Sequence, residues 1–396
     1  MSAGHANSEL PLAMLLVFGT AKIIGEIAER LKMPNIVGQI VAGVILGPSV
    51  LALVKPESVR ELADLGVMFL LFRVGLEVKA SDLVTVGRTA SVVALLGVIV
   101  PLAMGYGIFH WSGASTIESL FVGAAMVATS VGITAQVLAG MGLLNALASR
   151  IILAAAVIDD ILGLIVLAIV SSLAHGSVNV IQLATTAAIS IGFTIFILSV
   201  GARTVGSVLP KVEKQMKGGE SQFTLAMILL FGLALFASYA GVAAIIGAFL
   251  AGVALAETVS HRVHILAQGV TELLVPFFLA GIGLALDVHV LRDPKVLMLA
   301  GLITVAAIVS KLVGCGLGAL PLGLTEAKRI GAGMVPRGEV GMVVAQIGAS
   351  MGTVSQQAYS VVVVMAVMTT VVAPILLTWT FGSIAQEPED FPLSIE

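Results

Sequence analysis

Ile151-Ile-Leu-Ala-Ala-Ala-Val-Ile-Asp-Asp-Ile-Leu-Gly-Leu-Ile-Val-Leu-Ala-Ile-Val170 is apolar over the length of a bilayer and carries two adjacent carboxylates, Asp159 and Asp160, at its middle. A hydrocarbon core takes roughly 20 apolar residues per helix. Strands of a membrane barrel would alternate polar and apolar residues. Here Ile151 to Ala156, and likewise Val361 to Val367 further on, are apolar on every side. In lipid, a helix is then the remaining way to satisfy the backbone. The stretch therefore predicts a membrane helix with charge buried at its centre.

The same pattern runs from end to end. Of the 396 residues, 58% are hydrophobic and 11% are charged, where a soluble domain carries about 25% charge. Mean hydropathy is +1.11. The sequence predicts an all-α polytopic protein with thirteen spans, at 10–30, 36–54, 61–78, 88–109, 116–138, 149–173, 180–201, 222–239, 242–257, 270–289, 294–319, 325–349 and 355–381. No soluble domain is expected around them, and the N-terminus lacks the basic region of a cleavable signal. Small residues four apart, such as Gly43/Gly47 and Gly314/Gly318, suit close helix packing. The single cysteine, Cys315, is read as packing, and the net charge of −3 excludes nothing.

Lys and Arg are uneven between the loops. Loops after odd-numbered spans hold twelve: Arg30, Lys32, Lys79, Arg88, Arg150, Arg203, Lys211, Lys214, Lys217, Arg262, Lys328 and Arg329. Loops after even-numbered spans hold four: Lys55, Arg60, Arg292 and Lys295. The bias puts the odd loops in the cytoplasm, the N-terminus outside and the C-terminus inside.

The two halves of the chain resemble each other. Ile36-Val-Gly-Gln-Ile-Val-Ala-Gly-Val-Ile-Leu46 aligns with Ile245-Ile-Gly-Ala-Phe-Leu-Ala-Gly-Val-Ala-Leu255 at an offset of 209, with six of eleven positions identical. At an offset of 208, Leu65, Val67, Phe69, Leu71, Gly75 and Leu76 match Leu273, Val275, Phe277, Leu279, Gly283 and Leu284. Val131-Gly132 matches Val340-Gly341, again at 209. The offset pairs spans seven apart, and seven is odd, so the repeats cross the membrane in opposite directions. Inverted repeats are a mark of secondary transporters, whose ion sites lie near the midplane on broken helices.

Four cations, Lys22, Arg73, Lys311 and Arg337, fall within predicted spans. So do Asp159, Asp160 and Glu339. Intramembrane ionisable groups cost several kcal/mol and are functional by default. Adjacent residues of a helix point about 100° apart, so one aspartate can pair with a protein cation while the other faces water. Lys311, mid-span, is the expected partner. A carboxylate held near neutrality in a poorly solvated site can bind either a small cation or a proton. Two spans look breakable: Ala128-Thr-Ser-Val-Gly-Ile-Thr134, and Met334-Val-Pro-Arg-Gly-Glu-Val-Gly341, where Pro336 removes a donor and Gly338 frees the backbone. Unwinding there would offer carbonyls and the Thr129 and Ser130 hydroxyls to an ion, with Arg337 and Glu339 offsetting the half-helix dipoles. Lys22 with Glu26 reads as an i,i+4 pair. Arg73 can snorkel, pair with Glu77 or line a cavity. The six histidines make neither a metal site nor a triad, and no nucleophile–base constellation is present, so an enzyme is not expected.

Ala128-Thr-Ser-Val-Gly-Ile-Thr134, Ala156-Val-Ile-Asp-Asp-Ile-Leu-Gly163 and Pro336-Arg-Gly-Glu-Val-Gly341 resemble the monovalent cation:proton antiporter-2 family, in particular its bacterial Na⁺/H⁺ antiporters. The resemblance implies an inner-membrane homodimer that exchanges Na⁺ or Li⁺ for protons by an elevator-like movement, electrogenically, and without a cofactor or nucleic-acid partner. It implies dimerisation-domain spans in 1–87 and 222–291, core-domain spans in 88–178 and 292–396, and a linker in 179–221. By the same resemblance Asp160 binds the ion and the proton, Asp159 is its neighbour and Lys311 bridges Asp159. Thr129 and Ser130 lie at the helix crossing. K⁺/H⁺ exchange, a gated cation channel and a non-transporting sensor are the alternatives.

Overall fold

The computed structural model describes residues 3–31, 33–174, 180–197, 204, 220–240 and 243–382. Among these the regular structure is entirely helical. In chain order the α-helices are α1 (Ala3–Arg30), α2 (Asn35–Leu46), α3 (Arg60–Leu76), α4 (Ala80–Trp111), α5 (Thr116–Val127), α6 (Val131–Gly140), α7 (Leu147–Ala174), α8 (Val180–Phe196), α9 (Ser221–Tyr239), α10 (Ala244–Leu255), α11 (His261–Leu284), α12 (Pro294–Ala319), α13 (Leu324–Gly333), α14 (Glu339–Ser350) and α15 (Gln356–Phe381). Eight helical stretches among the described residues are long and apolar enough to cross a membrane, α5 with α6 counting as one; Asn35–Leu46, Ala244–Leu255 and Val340–Ala349 are shorter apolar helices. The chain is a multi-pass membrane protein.

Helix ends differ from the sequence reading where polarity misleads. The second span stops at Leu46, not 54, because Gly47-Pro48 turns the chain. The tenth begins at His261, not 270, because its first turn, with His261, Arg262 and His264, is polar but still helical. Arg88, Arg262, Lys328 and Arg329, read as loop residues, likewise sit on helical turns of α4, α11 and α13. Lys32, Arg203, Lys211, Lys214, Lys217 and the tail from 383 lie outside the described residues. The expected Lys22–Glu26 pair is not formed. Glu26 bonds Arg30 instead, at 3.0 Å, and the Lys22 ammonium lies over the Phe18 ring. Arg73 approaches Glu77 at 4.0 Å.

Two packing groups emerge. One buried apolar cluster draws its helical residues only from α1, α2, α3, α9, α10 and α11, with Val17, Phe72, Leu230, Leu255 and Phe277 inside it. In the second group α4 packs on α5, α7 and α12, and α12 packs on α13 and α15. The groups meet where α6 touches α3 and α15 touches α2. α8 packs on α7.

Within the first group helices approach to backbone contact. A Cβ added at Gly43 would run into the carbonyl of Ala280, and one at Gly283 into that of Ile40. A Cβ at Gly252 would run into the carbonyl of Phe72, and one at Gly75 into that of Phe249. These are one contact set made twice: Gly43 and Ile40 correspond to Gly252 and Phe249 at 209, and Gly283 and Ala280 to Gly75 and Phe72 at 208. Gly38 against Ile24 and Gly25 is likewise matched by Gly247 against Leu233 and Ala234. Glycine leaves room for van der Waals contact and carbonyl approach that lipid cannot supply between apolar helices.

Gly252→Leu is expected to force α10 off α3 and lower the melting temperature in detergent, the usual cost of overpacking being about 1–3 kcal/mol. Gly232→Ala, where an added Cβ meets nothing within 4 Å, is expected to leave it unchanged or slightly raised.

Candidate ion site

The two suspected helices are interrupted. α5 ends at Val127, and Ala128, Thr129 and Ser130 are non-helical before α6 begins at Val131. α13 ends at Gly333, and 334–338 separate it from α14. The breaks cross: the Ser130 N–H donates to the Pro336 carbonyl at 2.8 Å, and the Thr134 hydroxyl donates to the Gly333 carbonyl at 2.6 Å. Pro336 has no N–H to leave stranded. A Cβ at Gly338 would fall 2.5 Å from Ser130 Oγ, so a side chain there would have to displace Ser130 at the crossing. Thr129 and Ser130 are buried, and neither hydroxyl has a protein partner. Hydroxyl oxygens left open in a buried site are available to a cation or water.

Arg337 answers the dipole problem at the end of α13. Its side chain is fully buried. Nη1 donates to the carbonyls of Met334 and Val335, at 3.0 and 3.1 Å, and Nη2 to that of Ala307 on α12, at 3.1 Å. Its backbone is held by α15: the N–H donates to Thr369 Oγ1, and the carbonyl accepts from Thr370 Oγ1. A guanidinium on the carbonyls that follow a helix C-terminus offsets the partial negative charge there. Glu339 opens α14, where an acid suits the positive helix end; its side chain lies outside the described set.

Asp159 and Asp160 sit mid-way along α7 and face different surroundings. Asp159 and Lys311 are both 0% exposed, and Lys311 Nζ donates to Asp159 Oδ1 at 3.0 Å. Asp159 Oδ2 is buried without a protein partner. Asp160, 8% exposed, lines a cavity of about 360 Å³ with Asp159. The cavity follows Gly163, Leu164 and Leu167 toward the C-terminal end of α7, with Ser238 and Ala244 on its far wall. Toward the N-terminal half of α7, among the described residues, Asp160 borders a void of about 10 Å³ with Leu71, Leu153, Ile246 and Phe249. Access to Asp160 is open on one side and packed on the other.

Two residues of this site carry no charge and no motif. Gly97 of α4 faces the pair: a Cβ there would lie 2.7 Å from Cys315 Sγ and 3.3 Å from Lys311 Nζ. Cys315, one turn beyond Lys311, fills the adjoining space. The only signal for Gly97 in sequence is a glycine in an apolar span, which many positions share.

Removing one charge of a buried pair costs roughly 3–5 kcal/mol, because the other is left uncompensated. Lys311→Gln is therefore expected to lower the melting temperature sharply in detergent, and Asp159→Asn with Lys311→Gln to recover much of the loss. Gly97→Val is expected to destabilise as well, by displacing the ammonium.

The transmembrane sodium/hydrogen exchanger model matches residues 13–382 of the chain. The high-affinity Na⁺/H⁺ antiporter NhaS3 of Synechocystis is 33% identical over 430 residues, covering 96% of this chain and 92% of its own. The Na⁺/H⁺–K⁺ antiporter GerN of Bacillus cereus is 33% identical over 375 residues, covering 93% and 95%. The solved structure of the sodium proton antiporter MjNhaP1 from Methanocaldococcus jannaschii shares the fold, with a TM-score of 0.60 at 19% identity over 97% of this chain and 98% of that one. With the broken-helix crossing and the buried aspartates in the same chain, this protein belongs to the transmembrane sodium/hydrogen exchanger family.

Proposed function

We propose that the protein exchanges Na⁺, or Li⁺, for protons across the membrane, and that Asp160 carries both. The observation that carries this reading is a membrane-buried carboxylate at the floor of a one-sided cavity, beside a second carboxylate already matched by Lys311. Ionised, Asp160 offers hard oxygens to a small cation, and the Thr129 and Ser130 hydroxyls can add to them. Protonated, it offers none. Cation and proton therefore exclude each other at one group, which couples their flows. A gated channel is disfavoured by the packed side of the site, and a non-transporting sensor would have no use for an open route to Asp160.

Exchange is electrogenic in this reading. An arriving cation competes with Lys311 for Asp159, so Lys311 releases a proton as Asp160 releases another. Two protons then move against one cation, and one net charge crosses. Moving one charge through 100 mV is worth about 2.3 kcal/mol, roughly a fifty-fold gradient. The name of GerN favours testing K⁺ as a second substrate.

The wider architecture follows the same reading. The interrupted helices counted singly make thirteen spans in two inverted repeats, a reading supported by the twice-made glycine contacts. Helices of 1–87 and 222–291 form a static dimerisation domain, supported by their separate apolar cluster. Helices of 88–178 and 292–396 form a core that moves as an elevator, and 179–221 links the two. The protein is a homodimer in the bacterial inner membrane, its N-terminus outside. The cavity then opens outward.

Asp160→Asn keeps the shape and removes the titratable charge. In proteoliposomes, internal pH followed on addition of Na⁺, Li⁺ and K⁺ in turn should show exchange abolished in this variant, with the melting temperature within a few degrees of the parent. Persistent cation-driven proton movement would refute the assignment. An imposed potential should change the parent's exchange rate several-fold; indifference to voltage would defeat the two-for-one stoichiometry alone.

A further inference from the structure

The cavity above Asp160 has a counterpart in sequence on the opposite side of the molecule. Its far wall is made by Ser238 at the end of α9 and Ala244 at the start of α10. At the repeat offset of 209 these correspond to Glu29 at the end of α1 and Asn35 at the start of α2. The correspondence is physical as well as textual, since α1 packs on α2 through the same glycine contact as α9 on α10. On the core side, Val340 and Val344 of the cavity correspond to Val131 and Ala135 of α6. Where the cavity separates the C-terminal half of α7 from the start of α10, the mate helices α15 and α2 are packed together.

What stands at the mate positions is polar. Glu29 is exposed, Asn35 half-buried and Gln39, one turn deeper on α2, only 7% exposed. The three are joined: Asn35 Nδ2 donates to Glu29 Oε1 at 3.0 Å, and Gln39 Nε2 donates to Asn35 Oδ1. The chain ends at Gln39 Oε1, which is buried with no protein partner. A buried amide oxygen in a membrane helix is costly unless something satisfies it. Packing has no need of it, because the mate of Gln39 is Ala248, fully buried in the same kind of environment.

We infer that Glu29, Asn35 and Gln39 wall the second access route to Asp160, closed in this structure, and that they draw a hydrated monovalent cation inward from the face that carries the basic loops. The Glu29 carboxylate attracts the cation at the mouth. The Asn35 and Gln39 amide oxygens, and the water they hold, replace part of its hydration as it descends. The reverse passage serves the outgoing ion. Moving the core away from the start of α2, as α7 now stands away from the start of α10, opens the route. The inference rests on the inverted-repeat reading above and adds to it the polar wall of one face.

Sealed vesicles of both orientations test it with a charged, membrane-impermeant maleimide. The parent supplies the background, its Cys315 being buried. Asn35→Cys is expected to react only from the face of the basic loops, and Ser238→Cys only from the opposite face. Gln39→Cys, which leaves the Asn35–Glu29 bond in place, repeats the measurement if Asn35→Cys misfolds. Glu29→Gln is expected to raise the KM for Na⁺ at least threefold when Na⁺ is supplied on the basic-loop face, with no change from the other. Reaction of both cysteines from one face would defeat the repeat reading and the inference with it. Reaction of Ser238→Cys with Asn35→Cys and Gln39→Cys silent from both faces would leave the repeat standing and overturn the polar wall. An equal KM change on both faces would also overturn it.

Discussion

A helix broken inside a membrane exposes backbone groups that no lipid can satisfy, and this molecule solves that problem by breaking two helices against each other. The Ser130 N–H takes the Pro336 carbonyl, and Thr134 takes that of Gly333. Arg337 takes what remains of the α13 end. The solution constrains everything around it. Through Ala307 the guanidinium fixes α12, and Lys311 lies four residues further along the same face of that helix. Through Thr369 and Thr370 the Arg337 backbone fixes α15. The ammonium that meets Asp159 is thus placed by the crossing, one helical turn from the arginine that stabilises it.

The difference between two neighbouring aspartates then needs no difference in chemistry. Successive residues on α7 point about 100° apart. One direction ends on the buried Lys311 ammonium, and the other on the cavity of about 360 Å³. Environment alone gives Asp159 the Lys311 partner and puts Asp160 against the cavity. In the proposed exchange, the first sets how many charges move and the second sets what is bound. Gly97 leaves room for the arrangement on the α4 side: any side chain there would press on Cys315 and the ammonium together.

The sequence made the interruptions readable because they need unusual residues. Pro336 and Gly338 are poor helix interior residues, and Thr129-Ser130 sits at the matching point of the other half. Lys311 and the aspartates were readable because charge is so costly in lipid that chance does not put it there. Gly97 was not readable, because its role depends on which helix faces it, and an apolar span with a glycine says nothing of its neighbour. Thr369 and Thr370 were missed for the same reason: a hydroxyl bonded to its own helix looks alike whether or not it also holds another segment of the chain. Glu26 had cations four residues away on both sides, Lys22 and Arg30, and spacing alone cannot choose between them. The start of α11 was misread because its first turn, with His261, Arg262 and His264, leaves the apolar pattern before it leaves the helix.

In the proposed inverted-repeat reading, the two halves also set how the exchange is balanced. If both halves had identical side chains as well as matched backbones, the arrangement open on one face and the arrangement open on the other would have equal energies. The matched glycines keep the scaffold nearly symmetric, so the large terms of helix packing cancel between the two arrangements. What remains is the difference at unmatched positions, such as Ser238 and Ala244 against Glu29 and Asn35. A few polar groups, worth about a kcal/mol each when hydrogen-bonded, are enough to set a population when the competing states differ by a few kcal/mol. In that reading, the packing of α2 against α15, with the start of α10 set off from the C-terminal half of α7 by the cavity, is the arrangement that this small imbalance selects. Bonding Glu29, Asn35 and Gln39 to one another, with no water required between them, contributes to that choice on the closed side.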